Sequence, residues 1–187
     1  MKKFLFYDNV FNQEELDLTW EELNKTDWGR LDDPIFGNRD VINLHGPEFY
    51  HPPFPKLIDS YLEILEEQTK DALQNGLIKC QGRMICDEKL ARYAPGDDLD
   101  WHCGDWAYYN HPYLNYGPEA AFTRRQLTSI TYLNDDYVGG ETEFTDDIII
   151  KPETGKTLIF PAHWEFAHKG RKVVEGTKYV YINHIWF

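Results

Sequence analysis

The sequence predicts an α+β domain in which helices come first and an antiparallel β sandwich or barrel follows. Three observations carry this. Two segments with helical periodicity precede residue 77. Many short segments with strand texture follow it, parted by Gly, Asn and Asp turns. Aromatic residues make up 16% of the chain, which favours a β-rich core or an aromatic-lined cleft. Elements segregated in this way belong to α+β architecture, not to the alternating α/β class.

At 187 residues the chain is the size of one domain, with helical support over about 1–76 and the β core over about 77–187. A core of that size needs no disulfide or structural metal. Cys80, Cys86 and Cys103 are odd in number, lack metal-type spacing, and read as reduced thiols. No apolar run approaches a bilayer span, and Met1-Lys2-Lys3-Phe4-Leu5-Phe6-Tyr7-Asp8 meets an acid too early for a signal peptide. The expected address is the cytoplasm. A net charge of −13 repels nucleic acid, so none is expected as a partner, and no membrane is expected either.

Residues 4–7 read as a short strand. Asn12 is placed to cap a helix over 13–25, with Glu15 at capping-box spacing. A second helix is expected over 55–74. Pro55 opens it, Leu57, Ile58, Tyr61, Leu62 and Leu65 form its apolar stripe, and Asn75-Gly76 stops it. Strands are then expected around 78–93 and at 126–134, 147–151, 156–160 and 178–187. Residues 105–124 break this rhythm. They hold Trp106, Tyr108, Tyr109, His111, Tyr113, Tyr116 and Phe122, with Pro112 and Pro118 as breaks, and read as a lid or binding loop.

Two histidines stand out. His168 lies ten positions before Lys178, and His102 lies 66 residues upstream of His168. Each is followed two places on by glycine, Gly104 and Gly170, where backbone approaches closely. Two distant histidines and one downstream base suggest a metal site beside an anion site. Oxygen-activating iron is commonly held by two histidines and one carboxylate on one face, which leaves positions for cosubstrate and oxygen.

Further segments occur in a fixed order. Tyr93-Ala94-Pro95-Gly96 precedes His102; Arg125-Gln126-Leu127-Thr128 runs into Tyr132-Leu133-Asn134; Gly139-Gly140-Glu141-Thr142-Glu143-Phe144 follows; then come Pro152 and Gly155, Leu158-Ile159-Phe160, and His168-Lys169-Gly170 with Val173, Gly176 and Lys178. This pattern resembles the prolyl-4-hydroxylase-like branch of the 2-oxoglutarate- and Fe(II)-dependent oxygenases. It covers roughly 88–187, with a weaker match at Leu5-Phe6-Tyr7-Asp8-Asn9-Val10-Phe11. The resemblance implies a double-stranded β-helix, a jelly-roll core with N-terminal supporting helices and the metal at its mouth. It implies Fe(II), 2-oxoglutarate as cosubstrate, O2, and ascorbate as an accessory reductant. Lys178 would hold the distal carboxylate of 2-oxoglutarate, a task that suits a compact point charge. Tyr93 would add a hydrogen bond, with Thr128 on a neighbouring strand as a further cosubstrate contact. Gly139, Gly140 and Phe144 are expected to serve turn and core, and Trp186 to serve the core.

The sequence departs from the family at its first metal motif, H-x-D. Its third position here is Gly104, and the acid stands one place later at Asp105. On a regular strand residue i+3 points away from residue i. A bulge at Gly104 would turn Asp105 back. One reading is therefore a shifted catalytic and metal triad of His102, Asp105 and His168 in a hydroxylase. Another is a halogenase, since related halogenases carry Gly or Ala at this position and place a halide there. A third draws the carboxylate from Asp97, Asp98 or Asp100. A fourth is a jelly-roll binding module without catalysis. The expected substrate is a small molecule or peptide, for instance a peptidyl proline, and the acidic surface suits a cationic peptide or basic amino acid. The sequence does not address oligomeric state.

Overall fold

A computed structural model describes residues 4–25, 27–33, 37–43, 70–71, 74–75, 85–104, 125 and 127–186. The expected 105–124 loop, most of the helix over 55–74 and the Trp186 side chain lie outside what is described. Of that helix, Lys70, Asp71 and Gln74 are helical, and Asn75 N–H closes onto the Asp71 carbonyl at 2.8 Å.

Strand β1 (Leu5–Tyr7) leads into helix α1 (Gln13–Leu23). The expected capping box is present. Asn12 Oδ1 accepts from Glu15 N–H at 3.0 Å, and Glu15 Oε2 accepts from Asn12 N–H at 2.8 Å. Two of the helix's unpaired N-terminal groups are thus satisfied. Leu16 and Leu23 turn inward, and Trp20 meets Tyr179 edge to face at 4.9 Å. This contact presses α1 onto the back of the strand that carries Lys178.

The next two strands, β2 (Gly29–Asp33) and β3 (Gly37–Asn43), depart from the reading of this region as helical support. Their residues are charged and poor in intrinsic strand preference. Cross-strand charge holds them instead. Asp40 accepts from Arg92 at 2.6 Å and from Arg30 at 3.3 Å, while Arg30 grips Asp97 through two bonds of 2.7 and 2.8 Å. Gly37 sits at φ +94°, and an added Cβ would lie 2.5 Å from the Asp98 carbonyl. Tertiary partners override local preference here.

The remaining strands are β4 (Ile85–Tyr93), β5 (Leu99–His102), β6 (Leu127–Tyr132), β7 (Val138–Gly139), β8 (Thr142–Phe144), β9 (Ile149–Ile150), β10 (Thr157–Pro161), β11 (His168–Gly170), β12 (Val173–Glu175) and β13 (Lys178–Trp186). A 3-10 turn, Trp164–Phe166, precedes β11. The described strands pair antiparallel into a large sheet, β1-β10-β6-β13-β4-β3-β2, a smaller one, β5-β11-β8-β9, and a ribbon of β12 and β7. The N-terminal segment therefore extends the large sheet at both edges.

Tyr132, Phe144, Leu158, Phe160 and Val180 form the buried core. Each such side chain contributes roughly 1.5–3 kcal/mol through burial. Every residue of β6 is buried. Its central place explains this, for the smaller sheet covers one face and a polar layer that includes the 2.7 Å Thr131–Thr157 hydroxyl bond lies on the other. The architecture is the expected double-stranded β-helix.

Candidate active site

β5 and β11 place the two histidines side by side. His102 and His168 are direct cross-strand partners, with ring centroids 4.3 Å apart. The pairing slips by one residue between His168 and Gly170, which faces Leu99. Each ring is tied by Nδ1 to a carbonyl two residues upstream, Asp100 O at 2.7 Å and Phe166 O at 2.9 Å. A carbonyl only accepts, so Nδ1 carries the proton in each neutral ring and Nε2 carries the lone pair. Phe160 and Phe144 pack on His168 at 4.8 and 5.4 Å. Burial holds His102 down at about 4 and His168 well below the usual histidine value. Both are neutral at pH 7, the state in which imidazole binds a metal.

Lys178 opens β13 directly across from Tyr93 on β4. It is buried, its Nζ donates to the Gly140 carbonyl at 2.7 Å, and it lies 5.2 Å from the Tyr93 ring and 5.6 Å from that of Tyr132. Among the described residues no carboxylate forms an ion pair with it. Burial pushes its pKa down to about 8, with Glu141 pulling weakly the other way. Tyr93 is buried beside it, and burial raises its phenol pKa, so it donates as a neutral hydroxyl. Gly140 adopts φ +69°, which turns its carbonyl to this task. Sequence reading confined the Gly139-Gly140 pair to a turn, and its carbonyl role had no signal in residue type.

Thr128 lines the same cavity, but at the end beside Gly104. It pairs with His184, six residues along β13 from Lys178, about 20 Å of strand. Its hydroxyl is buried without a partner. This register sets it apart from the distal carboxylate contact expected of it. Besides Tyr93, the Lys178 end holds the hydroxyls of Tyr132 and Thr142, joined at 2.7 Å.

Gly104 lies in a turn beyond the end of β5. Asp105 itself is outside the described residues. A Cβ on Gly104 would meet Ala162 Cβ at 2.9 Å and Thr128 Oγ1 at 3.0 Å. Arg125, two residues before β6, donates from Nη1 to the Gly104 carbonyl at 3.3 Å and steadies this turn. Among the other acids considered, Asp97 is held by Arg30 and by Ala94 N–H, and Asp100 accepts from its neighbour Trp101. Asp97, Asp98 and Asp100 do not line the histidine cavity. Among the described residues no group of three ligating side chains converges on one point.

The cavity between the sheets has a volume of about 130 Å³ and is walled by both histidines, Tyr93, Thr128, Thr142 and Lys178. Two neutral imidazoles and an uncompensated buried ammonium fit a divalent metal beside an anionic chelator. The fold and this site together define a jelly-roll protein with two paired histidines and a buried lysine in one cavity.

Residues 89–187 match the 2OG-Fe(II) oxygenase superfamily, and the chain belongs to it. The viral collagen prolyl hydroxylase of Paramecium bursaria Chlorella virus-1 is similar in structure, with TM-score 0.68, 22% identity, and coverage of 99% of this chain and 96% of that one. A prolyl-4-hydroxylase of Pseudomonas putida superposes with TM-score 0.72 at 12% identity over 100% of this chain and 93% of that one. A prolyl hydroxylase of Trichoplax adhaerens, solved with a hypoxia-inducible-factor peptide fragment, gives TM-score 0.72 at 13% identity over 100% and 84%. No curated protein matches the sequence significantly. Among the described residues no helix is long and apolar enough to cross a membrane.

Proposed function

We propose that this protein is a 2-oxoglutarate- and Fe(II)-dependent dioxygenase that hydroxylates an unactivated C–H bond of an amino-acid or peptidyl substrate, with peptidyl proline one member of that class. The observation that carries the reading is the pairing of two neutral histidines with a buried, uncompensated Lys178 in one cavity. His102 and His168 hold the metal through Nε2. Asp105 supplies the third ligand from the turn that begins at Gly104. Lys178 and the Tyr93 hydroxyl hold the distal carboxylate of 2-oxoglutarate. Iron with 2-oxoglutarate and O2 supplies the oxidising power. The chain supplies orientation and a dry wall, in which Phe144 and Phe160 shield His168 from water. The Trichoplax enzyme's complex with a peptide supports the peptidyl side of the substrate class.

Hydroxylation is the primary reading, because an acid, Asp105, stands next to Gly104 in the sequence. The test is an anaerobic titration of Fe(II) and 2-oxoglutarate into wild type and Asp105→Ala, with and without chloride, followed by charge-transfer absorption. Loss of tight iron binding in Asp105→Ala with no chloride effect upholds the triad. Wild-type iron binding by the variant with a chloride-shifted band transfers the assignment to a halogenase. No band in either protein, with no succinate formed in air, leaves a binding module.

A further inference from the structure

The charge of the cavity opposes that of the whole molecule. The chain carries −13. The cavity wall nevertheless includes Arg39, Lys89, Arg125 and Lys178, and no Asp or Glu among the described residues. An anionic substrate group matches this wall better than the cationic one that the acidic surface suggests, because a substrate meets the wall and not the far surface.

Arg39 is the telling member. It sits on β3, next to Asp40, whose carboxylate joins Arg92 and Arg30. Alternation along the strand sends Arg39 to the opposite, cavity face. Its Nη1 is buried and, among the described residues, has no hydrogen-bond partner. Arg39 lines the same cavity as Tyr93, His102 and Lys178. A buried, unpaired guanidinium N–H costs about 1–3 kcal/mol, or more because it is charged, and an oxyanion recovers this.

On the proposed function, the cosubstrate's two carboxylates are already matched, one by Lys178 and Tyr93 and the other by the metal. Two histidines without charge and one carboxylate ligand do not neutralise Arg39. Resting on that reading, we propose that the substrate to be oxidised carries an oxyanion, a carboxylate or a phosphate, and that Arg39 binds it. The planar fork of arginine suits either group through paired N–H bonds. Arg39 is then a specificity residue supplied by the N-terminal hairpin, outside the 89–187 family segment.

The test loads the full chain with Ni(II) and N-oxalylglycine, an inert pair, and measures binding by calorimetry and ligand-observed NMR. The probes are N-acetyl-L-proline, phenyl phosphate and the neutral N-acetyl-L-prolinamide. We expect at least one acid to bind at least about tenfold more tightly than the amide, a preference of about 1.4 kcal/mol. Whichever acid binds more tightly identifies the oxyanion. Arg39→Gln removes the preference, Arg39→Lys keeps part of it, and N-oxalylglycine affinity changes less than about twofold in both. Equal binding of acids and amide, or no binding of any probe, overturns the proposal. So does a loss of N-oxalylglycine affinity in Arg39→Gln as large as in Lys178→Met, which would assign Arg39 to the cosubstrate. If wild type fails to bind N-oxalylglycine at all, the oxygenase reading falls first and this one with it.

Discussion

The Lys178 ammonium donates to the Gly140 carbonyl at 2.7 Å, and this neutral acceptor is the nearest thing to a counter-charge that the described cavity offers it. A buried ammonium held only by a carbonyl is poorly compensated. On the proposed function, an anion that arrives from outside supplies the missing counter-charge.

Lys178→Met should bind N-oxalylglycine at least about 30-fold more weakly, since a charged hydrogen bond contributes about 2 kcal/mol or more. The melting temperature of the unliganded variant should stay level or rise, because an uncompensated buried charge is removed. Calorimetry and thermal denaturation check the two halves. A large fall in stability with unchanged affinity would assign Lys178 to the fold alone.

The pH dependence has a definite sign. Burial lowers the Lys178 pKa to about 8 in the unliganded fold. The unfolded chain keeps this proton to about 10.4, so stability contributed by this group rises with pH between these values. Anion binding needs the protonated form and runs the other way. Affinity for metal-free glutarate should fall about tenfold from pH 7 to pH 9, as a single deprotonation near 8 requires. A flat profile would mean that the lysine does not meet the anion.

His168→Ala and His102→Ala should each abolish tight Co(II) binding, read from the metal's visible spectrum. His168 also packs on Phe144 and Phe160, so its loss should cost about 1–3 kcal/mol of stability as well. His102 reaches the surface in part and should cost less. Equal metal binding by wild type and both variants would remove the histidine corner.

Gly104→Asp restores the H-x-D spelling but should not restore a normal ligand. Its Cβ would press on Ala162 at 2.9 Å and Thr128 at 3.0 Å. Overpacking of this kind costs about 1–3 kcal/mol. Chemical denaturation of Gly104→Ala and Gly104→Asp measures it, and wild-type stability in both would show that the turn yields freely.

Asp97 ties the β2–β3 hairpin to the site-bearing sheet. The Arg30 guanidinium holds its carboxyl below the usual range. That contribution is present above the ordinary carboxylate value near 3.9 and is lost as pH falls through the lower, folded value. Arg30 is partly exposed, so Asp97→Asn should cost only about 1–2 kcal/mol at pH 7. The deficit should shrink as pH falls below the ordinary carboxylate value, as denaturation at pH 7 and pH 2.5 can compare.

By itself the sequence determined the α+β class, the Asn12–Glu15 cap, most strands of the β-helix and the two histidines with Lys178. These are local signals: periodicity, capping spacing and motif order survive in one dimension. It did not determine the charged hairpin of β2 and β3, whose strands exist through partners such as Arg92 and Asp97 and not through their own preference. Nor did it place Thr128 along the strand, because only the β6–β13 register sets it opposite His184, six residues from Lys178. The carbonyl of Gly140, the crowding around Gly104 and the inward turn of Arg39 were likewise decided by tertiary structure. Each depends on which atoms distant segments bring together, and residue type alone carries no record of that.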